Sequence, residues 1–488
     1  MEIVISAVVG DLVTRCMSFL INKCKSEEQS LEEKMERLQD LLIRVHTIVQ
    51  EAEGRYITNS RMLLQLKKLV KVMYQGYHVM DAINYGTLQN SRAQKEVSSI
   101  TFTTSISQPC SMKSSSSISH NDLQGMLRNI ESTLSNMTEF VSLLRGCERM
   151  FRGPYDTYLY LDNFMFGRQV EKQQIINVLL QDDLPSFTPT VLPVIGGIKV
   201  GKKTLVAYAC NNEKVRSRFS SILHMNGENI GTMEQEPYMP GRSLVVVELT
   251  SDIDDQNWEK FYSSAKQMGR GSKIIIISRM SKVSRFGTVN PIRLNSLSPE
   301  ECNYLFKALA FGSTNPGEHP RLASVAKDLA EVIQGSFVAV NVCADVLRKN
   351  QNVHFWISIL KRYRSMVQIN FSVFGEHPNI LMCRDHPIDI TRYLPLPCST
   401  PSSAATYHLM PPHFSKINGS KRGLPKVLFG DLISGLTVLP KEFELVAWES
   451  RIAPYERLCV NLATCCNENK ISQHKTASPS KKRQRLEL

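Results

Sequence analysis

The stretch VLPVIGGIKVGKKTL, residues 191–205, decides the fold of the central part of this chain. A run of apolar, mostly β-branched residues leads into Gly196, and after four more residues Gly201 and Lys202 precede another apolar run. This order is typical of a phosphate-binding loop, in which glycines let main-chain N–H groups curl around phosphate oxygens and the lysine reaches the terminal phosphates. The pattern predicts a strand before the loop and, after it, a helix whose N-terminus favours an anion.

The eighth position of this loop departs from the pattern G-x-x-x-x-G-K-[ST]. Lys203 stands where a hydroxyl that holds Mg²⁺ is expected, and Thr204 keeps a hydroxyl one residue later. The next apolar run, SLVVVEL, ends in Glu248 followed by Leu249, so a second acidic residue is missing beside the first. Both departures argue against magnesium and against hydrolysis. A glycine-rich turn that binds no ligand is the alternative.

Three apolar runs predict the central fold. TVLPVIG, SLVVVEL and SKIIIIS are rich in valine or isoleucine and alternate with helical stretches. Near-continuous β-branched runs of this kind indicate a parallel sheet that is buried on both faces. The sequence therefore predicts an α/β core from about residue 160 to 290.

Helical periodicity dominates the N-terminal region. Apolar residues recur at steps of three and four, which places them on one face of a helix. A serine-rich stretch near 95–120 interrupts this pattern and predicts a mobile loop. We expect a small intramolecular bundle, with a dimerising coiled coil as the alternative. The clearest stripe contains Leu31, Met35, Leu38, Leu42, Val45, Val49 and Ala52.

The region after the core predicts a helical annex and then a small β element. Ser298 followed by Glu301 is a capping-box pattern, and further helices follow to about residue 365. Beyond it, KVLFGDL, EFELVAWES and ERLCVNLAT are the strand candidates. The predicted fold class is thus multidomain: an α-helical bundle, a P-loop α/β parallel sheet with a helical annex, and an irregular β-containing C-terminal region. The predicted domains are 1–150, 151–295, 296–365, 366–470 and a basic tail at 471–488.

Composition excludes several classes of protein. The chain is 42% hydrophobic and 21% charged, as in soluble globular proteins, and no run of about 18 uncharged apolar residues predicts a membrane span. The N-terminus has no basic region of a signal peptide. Twelve scattered cysteines without metal-ligand spacing are typical of reduced thiols. The net charge of +12 lies partly in the tail KKRQRLEL, which favours a solvated tail or targeting signal over nucleic-acid binding. We expect a cytoplasmic protein, with the nucleus as the alternative.

The order of these motifs resembles plant intracellular immune receptors of the coiled-coil NB-ARC class over roughly residues 1–365. The segments that carry the resemblance are MFGRQVE, GGIKVGKKTL, SLVVVELTSD, GSKIIIISR and FGSTNPGEHPRLASVAKDLAEVIQGSFVAV. The N-terminal bundle resembles the Rx-type domain. The resemblance implies a module that binds ADP at rest and exchanges it for ATP, and a bundle that contacts other immune-signalling proteins, with self-association left open.

The resemblance also implies a set of nucleotide-binding residues. Lys202 would contact the β-phosphate, Arg279 would sense the terminal phosphate, and Phe166 to Arg168 would line the adenine side. No residue is predicted to be catalytic. The predicted nucleotide-binding residues are Gly196, Gly197, Val200, Gly201, Lys202, Lys203, Thr204, Leu205 and Arg279.

Several family features depart from the pattern. Phe337 replaces the proline of the Gly-Leu-Pro-Leu-Ala motif, the Met-His-Asp motif has only the echo CRDHP at 383–387, and Asp81 alone is left of the acidic motif in the bundle. No leucine-rich repeat is found, so we expect a form lacking that domain. These departures predict weak or purely structural binding of ADP or ATP.

Three functions follow from the sequence. The first is an NLR-like defence protein that acts as a degenerate nucleotide switch or scaffold. The second is a slow P-loop ATPase that uses Thr204 and Glu248. The third is a nuclear regulator that associates with nucleic acid through the basic tail, for which the sequence gives the least support.

Overall fold

The computed structural model describes residues 31–96, 120–149, 165–182, 188–227, 230, 241–395, 406–411, 413–416, 424–437, 443–452 and 454–465. The chain divides into two compact units, Met1–Trp356 with Ser450–Tyr455, and Ile357–Glu449 with Glu456–Leu488. Among the helices in these ranges, none is both long and apolar enough to cross a membrane.

The N-terminal part of the first unit is a helical bundle, as the periodicity predicts. Leu38, Leu42 and Val45 are at most 1% exposed, so the predicted stripe faces the interior over most of its length, but its first residue, Leu31, is 40% exposed. A two-residue antiparallel pair of strands, β1 and β2, joins the two halves of the bundle. The predicted serine-rich loop lies outside the described residues, apart from its ends. The elements are α1 (Leu31–Glu53), β1 (Arg55–Tyr56), α2 (Ser60–Glu96), α3 (His120–Ser135), α4 (Thr138–Leu144) and β2 (Glu148–Arg149).

The central domain is a five-stranded parallel sheet in the order β4-β5-β6-β3-β7. Its elements are α5 (Gln169–Leu180), β3 (Thr190–Gly196), α6 (Lys202–Cys210), α7 (Glu213–Arg218), β4 (Ser221–Asn226), β5 (Ser243–Leu249), α8 (Asp255–Ala265), β6 (Lys273–Ser278) and β7 (Ile292–Leu294).

Both faces of this sheet are buried. Along β6, Ile275 and Ile277 belong to a core cluster that includes residues of α5 and α6, whereas Ile274 and Ile276 belong to a second cluster that includes Trp258 of α8. Strand side chains alternate between the faces, so burial on both sides requires apolar residues at every position. The three predicted strands and their parallel arrangement are confirmed.

The two strands at the edges, β4 and β7, have no counterpart in the sequence predictions. β4 is half exposed, with His224 on its surface, and its sequence SILHMN carries no continuous apolar run. β7 has only three residues. Short or half-polar edge strands give weak sequence signals because one side of the strand lacks a neighbour.

The helical annex continues the first unit. Ser298 Oγ accepts a hydrogen bond from the Glu301 amide at 3.2 Å, and Glu301 Oε2 accepts one from the Ser298 amide at 2.8 Å, so the predicted capping box is present. The helices are α9 (Pro299–Phe311), α10 (Pro320–Ile333), α11 (Phe337–Lys349) and α12 (Val353–Phe374), of which α12 runs through the division between the two units.

The second unit contains two small sheets, β10-β13-β12-β11 and β14-β9-β8. The predicted strands EFELVAWES and ERLCVNLAT form β12, β13 and β14. The prediction of a strand over KVLFGDL is wrong beyond Leu428, because a helix begins at Phe429. The elements are α13 (Pro378–Cys383), β8 (Ile388–Asp389), β9 (Thr406–Leu409), β10 (His413–Lys416), β11 (Lys426–Leu428), α14 (Phe429–Ser434), β12 (Glu444–Glu449), β13 (Glu456–Val460) and β14 (Leu462–Cys465).

Candidate phosphate-binding site

The glycine-rich loop connects the carboxyl end of β3 to the N-terminus of α6. A Cβ atom at Gly196 would lie 2.5 Å from the carbonyl oxygen of Leu294, so only glycine permits β3 to end this close to β7. Gly201 has φ +89° and caps α6, which a residue with a side chain would do under strain. Lys199 also has a positive φ, of 61°, although it is not glycine. The backbone therefore has the tight turn that a phosphate loop requires.

Lys202 begins α6 and turns back over the loop. Its ammonium group donates to the carbonyl oxygens of Gly196 at 2.9 Å and of Gly197 at 2.6 Å. The side chain is thus held at the mouth of the turn by main-chain acceptors. Carbonyl oxygens are weaker partners for an ammonium group than phosphate oxygens, because the latter carry a full charge.

Lys203 lies one residue further along α6 and forms an ion pair with Glu248 near the end of β5. Its Nζ atom is 2.8 Å from Glu248 Oε2, and the side chains are 31% and 37% exposed. The sequence singled out both residues as departures from the magnesium pattern, but it gave no signal that they contact each other. The contact follows from the sheet order, which places the carboxyl end of β5 beside that of β6, next to β3.

Arg279 directly follows β6 and is exposed. Burial lowers the pKa of Lys202 to about 8, Glu248 opposes that shift, and Lys203 and Arg279 add to it. The ends of β3, β5 and β6 therefore bring Lys202, Glu248 and Arg279 into one electrostatic neighbourhood. Two of the three charged groups that act on Lys202 are cations, so an anion is favoured here.

The remaining predicted site residues anchor or flank the loop. Leu205 is fully buried in the core cluster beneath the sheet, and its amide donates to Gly201 O at 2.9 Å. Val200 packs against the same cluster. Thr204 is partly buried in the first turn of α6. These residues fix the start of the helix, which holds Lys202 and Lys203 on adjacent positions.

The linker before α5 contacts the loop. Arg168 is 7% exposed, and its Nη2 atom donates to Asn295 O at 2.5 Å and to Val200 O at 3.4 Å. Burial lowers the pKa of Arg168, whereas Glu171 and Glu301 raise it. The terminal methyl carbon of Met165 lies 3.5 Å from the Cβ position of Gly201. The family resemblance implied that residues 166–168 lie near the nucleotide. The sequence analysis did not identify Met165 or Asn295 as neighbours of the loop.

The residues at the glycine-rich loop fit a phosphate group better than they fit a magnesium ion. The turn, the helix N-terminus, Lys202 and Arg279 are the donors that a phosphate requires. Mg²⁺ requires about six oxygen ligands in octahedral geometry, whereas the position of its usual hydroxyl is held by an ammonium group that is bonded to Glu248. Within the described ranges, no group of three or more histidine, cysteine or acidic side chains could hold a metal. The residues fit a phosphate and do not fit magnesium.

Comparison with known proteins relates the chain to plant immunity. Residues 8–116 match the Rx N-terminal domain family. Disease resistance protein RGA2 of Solanum bulbocastanum is 24% identical over 221 residues, which are 39% of this chain and 23% of that protein. Disease resistance RPP13-like protein 1 of Arabidopsis thaliana is 22% identical over 371 residues, or 67% of this chain and 34% of that protein. The chain is therefore similar to plant disease resistance proteins of the NLR type.

The chain spans about a quarter to a third of the length of these curated relatives. Among solved structures, domain III of the Thermotoga maritima replication initiation protein DnaA matches with a TM-score of 0.21 at 14% identity, covering 46% of this chain and 93% of that one. A likeness this slight has no bearing on the fold, which rests on the strands and helices themselves.

The N-terminal bundle contacts the central domain and its helical annex through charged pairs. Asp81 is 4% exposed, and Lys307 of α9 donates to both of its carboxylate oxygens at 2.8 and 2.6 Å. Lys67 pairs with Glu171 of α5 at 2.8 Å. The sequence gave no signal for either pairing, because the partners are 226 and 104 residues apart.

Aromatic side chains complete this contact. The ring centroids of Tyr74 and Tyr304 are 5.1 Å apart, and Phe166 stacks on Tyr304 at 6.1 Å. Tyr77 lies 5.4 Å from the same Tyr304 ring. Burial raises the pKa of Tyr304, and Tyr77, Glu53 and Asp81 add to that shift. The linker residue Phe166 therefore packs in an aromatic cluster with Tyr74 of the bundle and Tyr304 of α9.

Two other departures from the family pattern have simple structural settings. Phe337 is the first residue of α11, and Ser336 caps this helix by accepting from the Ala339 amide at 3.4 Å. The segment CRDHP at 383–387 lies in the second unit at the end of α13, where the ring Nδ1 of His386 is 2.9 Å from Pro387 O.

Proposed function

We propose that the chain binds an adenine nucleotide, ADP or ATP, in the loop from Gly196 to Leu205 and acts in plant defence as an NLR-like switch or scaffold. The observation that carries the proposal is the convergence of Lys202 and Arg279 at one edge of the sheet, beside a glycine-rich turn with the required backbone. This arrangement favours two linked phosphates over a single small anion, because cationic groups follow two separate strands.

Each residue has a defined part in this proposal. The main-chain amides at the start of α6 donate to the phosphates, and Lys202 exchanges the carbonyl oxygens of Gly196 and Gly197 for a phosphate oxygen. Arg279 neutralises the terminal phosphate. Val200 and Leu205 hold the turn through the core. The nucleotide supplies the negative charge that stabilises these clustered cations.

A chain of contacts that links the loop to the bundle through Arg168 and Glu171 supports a role in signalling. Arg168 bonds the loop at Val200 O, and it interacts with Glu171, which pairs with Lys67 of the bundle. Occupancy of the loop is therefore coupled by direct contacts to the segment that docks the bundle. The relatives named disease resistance proteins support the defence role, in which partner proteins would bind the bundle.

Nucleotide titration of the full chain tests this proposal. Isothermal titration with ADP is expected to show saturable heat, and ADP at about a hundredfold over Kd should add about 2.7 kcal/mol to the free energy of unfolding. Lys202→Ala removes a charged hydrogen bond worth about 2 kcal/mol, so the affinity should fall about thirty-fold.

Lys260→Ala is the matched control, because Lys260 is an exposed lysine on α8 outside the loop. Its affinity should equal that of the unaltered chain. Equal loss in both variants, or no heat with either ADP or ATP, would overturn the proposal. Phosphate release from ATP that stops in Lys202→Ala would instead support the slow ATPase.

A further inference from the structure

The ion pair between Lys203 and Glu248 occupies the part of the loop that usually serves a metal. Lys203 stands at the position of the magnesium-binding hydroxyl, and Glu248 stands near the end of the strand that usually supplies the acidic residue to the metal's water shell. The two side chains that would handle magnesium are instead bonded to each other at 2.8 Å.

This pairing opposes a divalent cation in two ways. The ammonium group satisfies the carboxylate of Glu248, which would otherwise attract the ion, and it adds a positive charge next to the position the ion would take. A magnesium ion placed between Glu248 and a phosphate would have to displace the ammonium group and then lie close to it. Like charges at short range are strongly unfavourable where solvent is partly excluded, and both side chains are only about one-third exposed.

The same pairing provides what magnesium provides to a nucleotide. Lys203 follows Lys202 directly at the start of α6, so its charge adds to that of Lys202. An ammonium group offers three donors but no octahedral geometry, which suits neutralisation of phosphate oxygens and does not orient a water molecule for attack. The site therefore has the charge for binding without the metal geometry for hydrolysis.

Resting on the proposed nucleotide-binding function, we propose that this site binds the nucleoside diphosphate in its metal-free form, and that the ammonium group of Lys203 takes the place of the magnesium ion. The site discriminates against the magnesium complex, because the bound ion would meet Lys203. Nucleotide binding in this chain then does not require magnesium and is weakened by it.

Titration of the full chain with ADP, in EDTA and in excess magnesium chloride, tests the inference. The unaltered chain should bind ADP in EDTA and bind it several-fold more weakly in magnesium, since magnesium converts ADP to the disfavoured complex. Lys203→Thr restores the hydroxyl of the motif and releases Glu248. It should reverse the preference, with binding about tenfold tighter in magnesium than in EDTA, equivalent to about 1.4 kcal/mol.

Two further variants serve as a surface control and as a test of the acidic partner of Lys203. Lys260→Thr makes the same change on the surface of α8 and should keep the preference for EDTA. Glu248→Gln replaces the carboxylate with an uncharged amide. Metal-free ADP should therefore bind to this variant at least as tightly as to the unaltered chain. Circular dichroism checks that each variant is folded.

The outcomes separate this inference from the proposed function. If ADP binds to the unaltered chain only when magnesium is present, the inference is wrong and the nucleotide-binding function stands. An unchanged preference for EDTA in folded Lys203→Thr also overturns the inference. If ADP binds under neither condition, the proposed function fails and the inference fails with it.

Discussion

The loop at Gly196 and the contact between the bundle and the central domain arrange their charges in opposite ways. At the bundle contact, Lys307 bonds both oxygens of Asp81, and Lys67 bonds Glu171, so each acid has its own cation. At the loop, Lys202 is held by carbonyl oxygens, and burial and the cations Lys203 and Arg279 lower its pKa whereas Glu248 raises it.

This difference separates a structural contact from a binding site. Opposite charges that satisfy each other at short range across two packed surfaces hold those surfaces together. Neighbouring cations repel each other and destabilise the folded state. A bound anion relieves this repulsion, so such a cluster favours anion binding. Variants that alter the charges of each region in turn test whether the two regions differ in this way.

The largest effect is expected at the buried end of the bundle contact. Asp81→Ala leaves Lys307, whose side chain is 18% exposed, without its carboxylate. Removal of one partner of a buried pair typically costs 3–5 kcal/mol, and the partial exposure of Lys307 puts the expected loss at about 3 kcal/mol. Urea denaturation followed by circular dichroism measures the free energy of unfolding.

Asp40→Ala, on an exposed position of α1, is the control and should change stability by less than about 0.5 kcal/mol. The double variant Asp81→Leu with Lys307→Met should lose less than the sum of the two single variants, because no charge is left unpaired. If Asp81→Ala and Asp40→Ala behave alike, the contact between the bundle and the central domain is not held by this pair.

Strands with a strong local sequence pattern were predicted correctly, and strands without one were missed. The runs that became β3, β5 and β6 are apolar at nearly every position, because both faces of the sheet are covered, and they were predicted with their parallel arrangement. β4 and β7 were missed because edge strands need no such pattern. KVLFGDL was predicted as a strand throughout because its apolar run persists into Phe429, where the helix begins.

The candidate site was predictable only where a single segment encodes it. The turn, Lys202 and Leu205 lie within one motif of fifteen residues. The pairing of Lys203 with Glu248 depends on the order of strands, which no local pattern contains. The pairing of Asp81 with Lys307 depends on the docking of two separate helices, α2 and α9. Long-range ion pairs are set by tertiary packing, and a single sequence carries no local record of them.

The pH dependence of ADP affinity tests whether the loop is a cluster of cations that binds phosphate. The pKa of Lys202 is lowered to about 8 by burial. Phosphate favours the charged form and raises this pKa in the complex, so the complex holds more protons than the ligand-free protein above about pH 8. ADP affinity should therefore fall by no more than about twofold between pH 7 and 8 and then by up to about tenfold for each pH unit above pH 8.

Ligand-free stability should respond to the same group with the opposite sign. The unfolded chain keeps the ordinary lysine pKa, so it binds more protons than the folded chain above about pH 8, and the contribution of Lys202 to stability rises with pH there. Lys202→Met should bind ADP weakly and with little dependence on pH. An affinity that stays constant from pH 8 to 9.5 in the unaltered chain would show that Lys202 does not contact the phosphates.

The smallest effect is expected at the exposed end of the bundle contact. Lys67 is 57% exposed, whereas its partner Glu171 is 7% exposed. Lys67→Met removes one cation from Glu171, but Arg168 stays beside this carboxylate and interacts with it. Water also screens an exposed ammonium group, so the loss of stability should be about 0.5–1 kcal/mol.

Salt dependence identifies the origin of this small effect. The difference between the unaltered chain and Lys67→Met should shrink as salt increases, because exposed charges are screened over a Debye length of about 8–10 Å at ordinary ionic strength. Lys68→Met, at the neighbouring exposed position, should be close to neutral. A loss in Lys67→Met as large as that in Asp81→Ala would mean that Glu171 depends on Lys67 alone, and that Arg168 is committed to the loop carbonyls. In that case, the bundle and the loop would not share Glu171 as a common neighbour, and the proposed coupling between them would lose its physical basis.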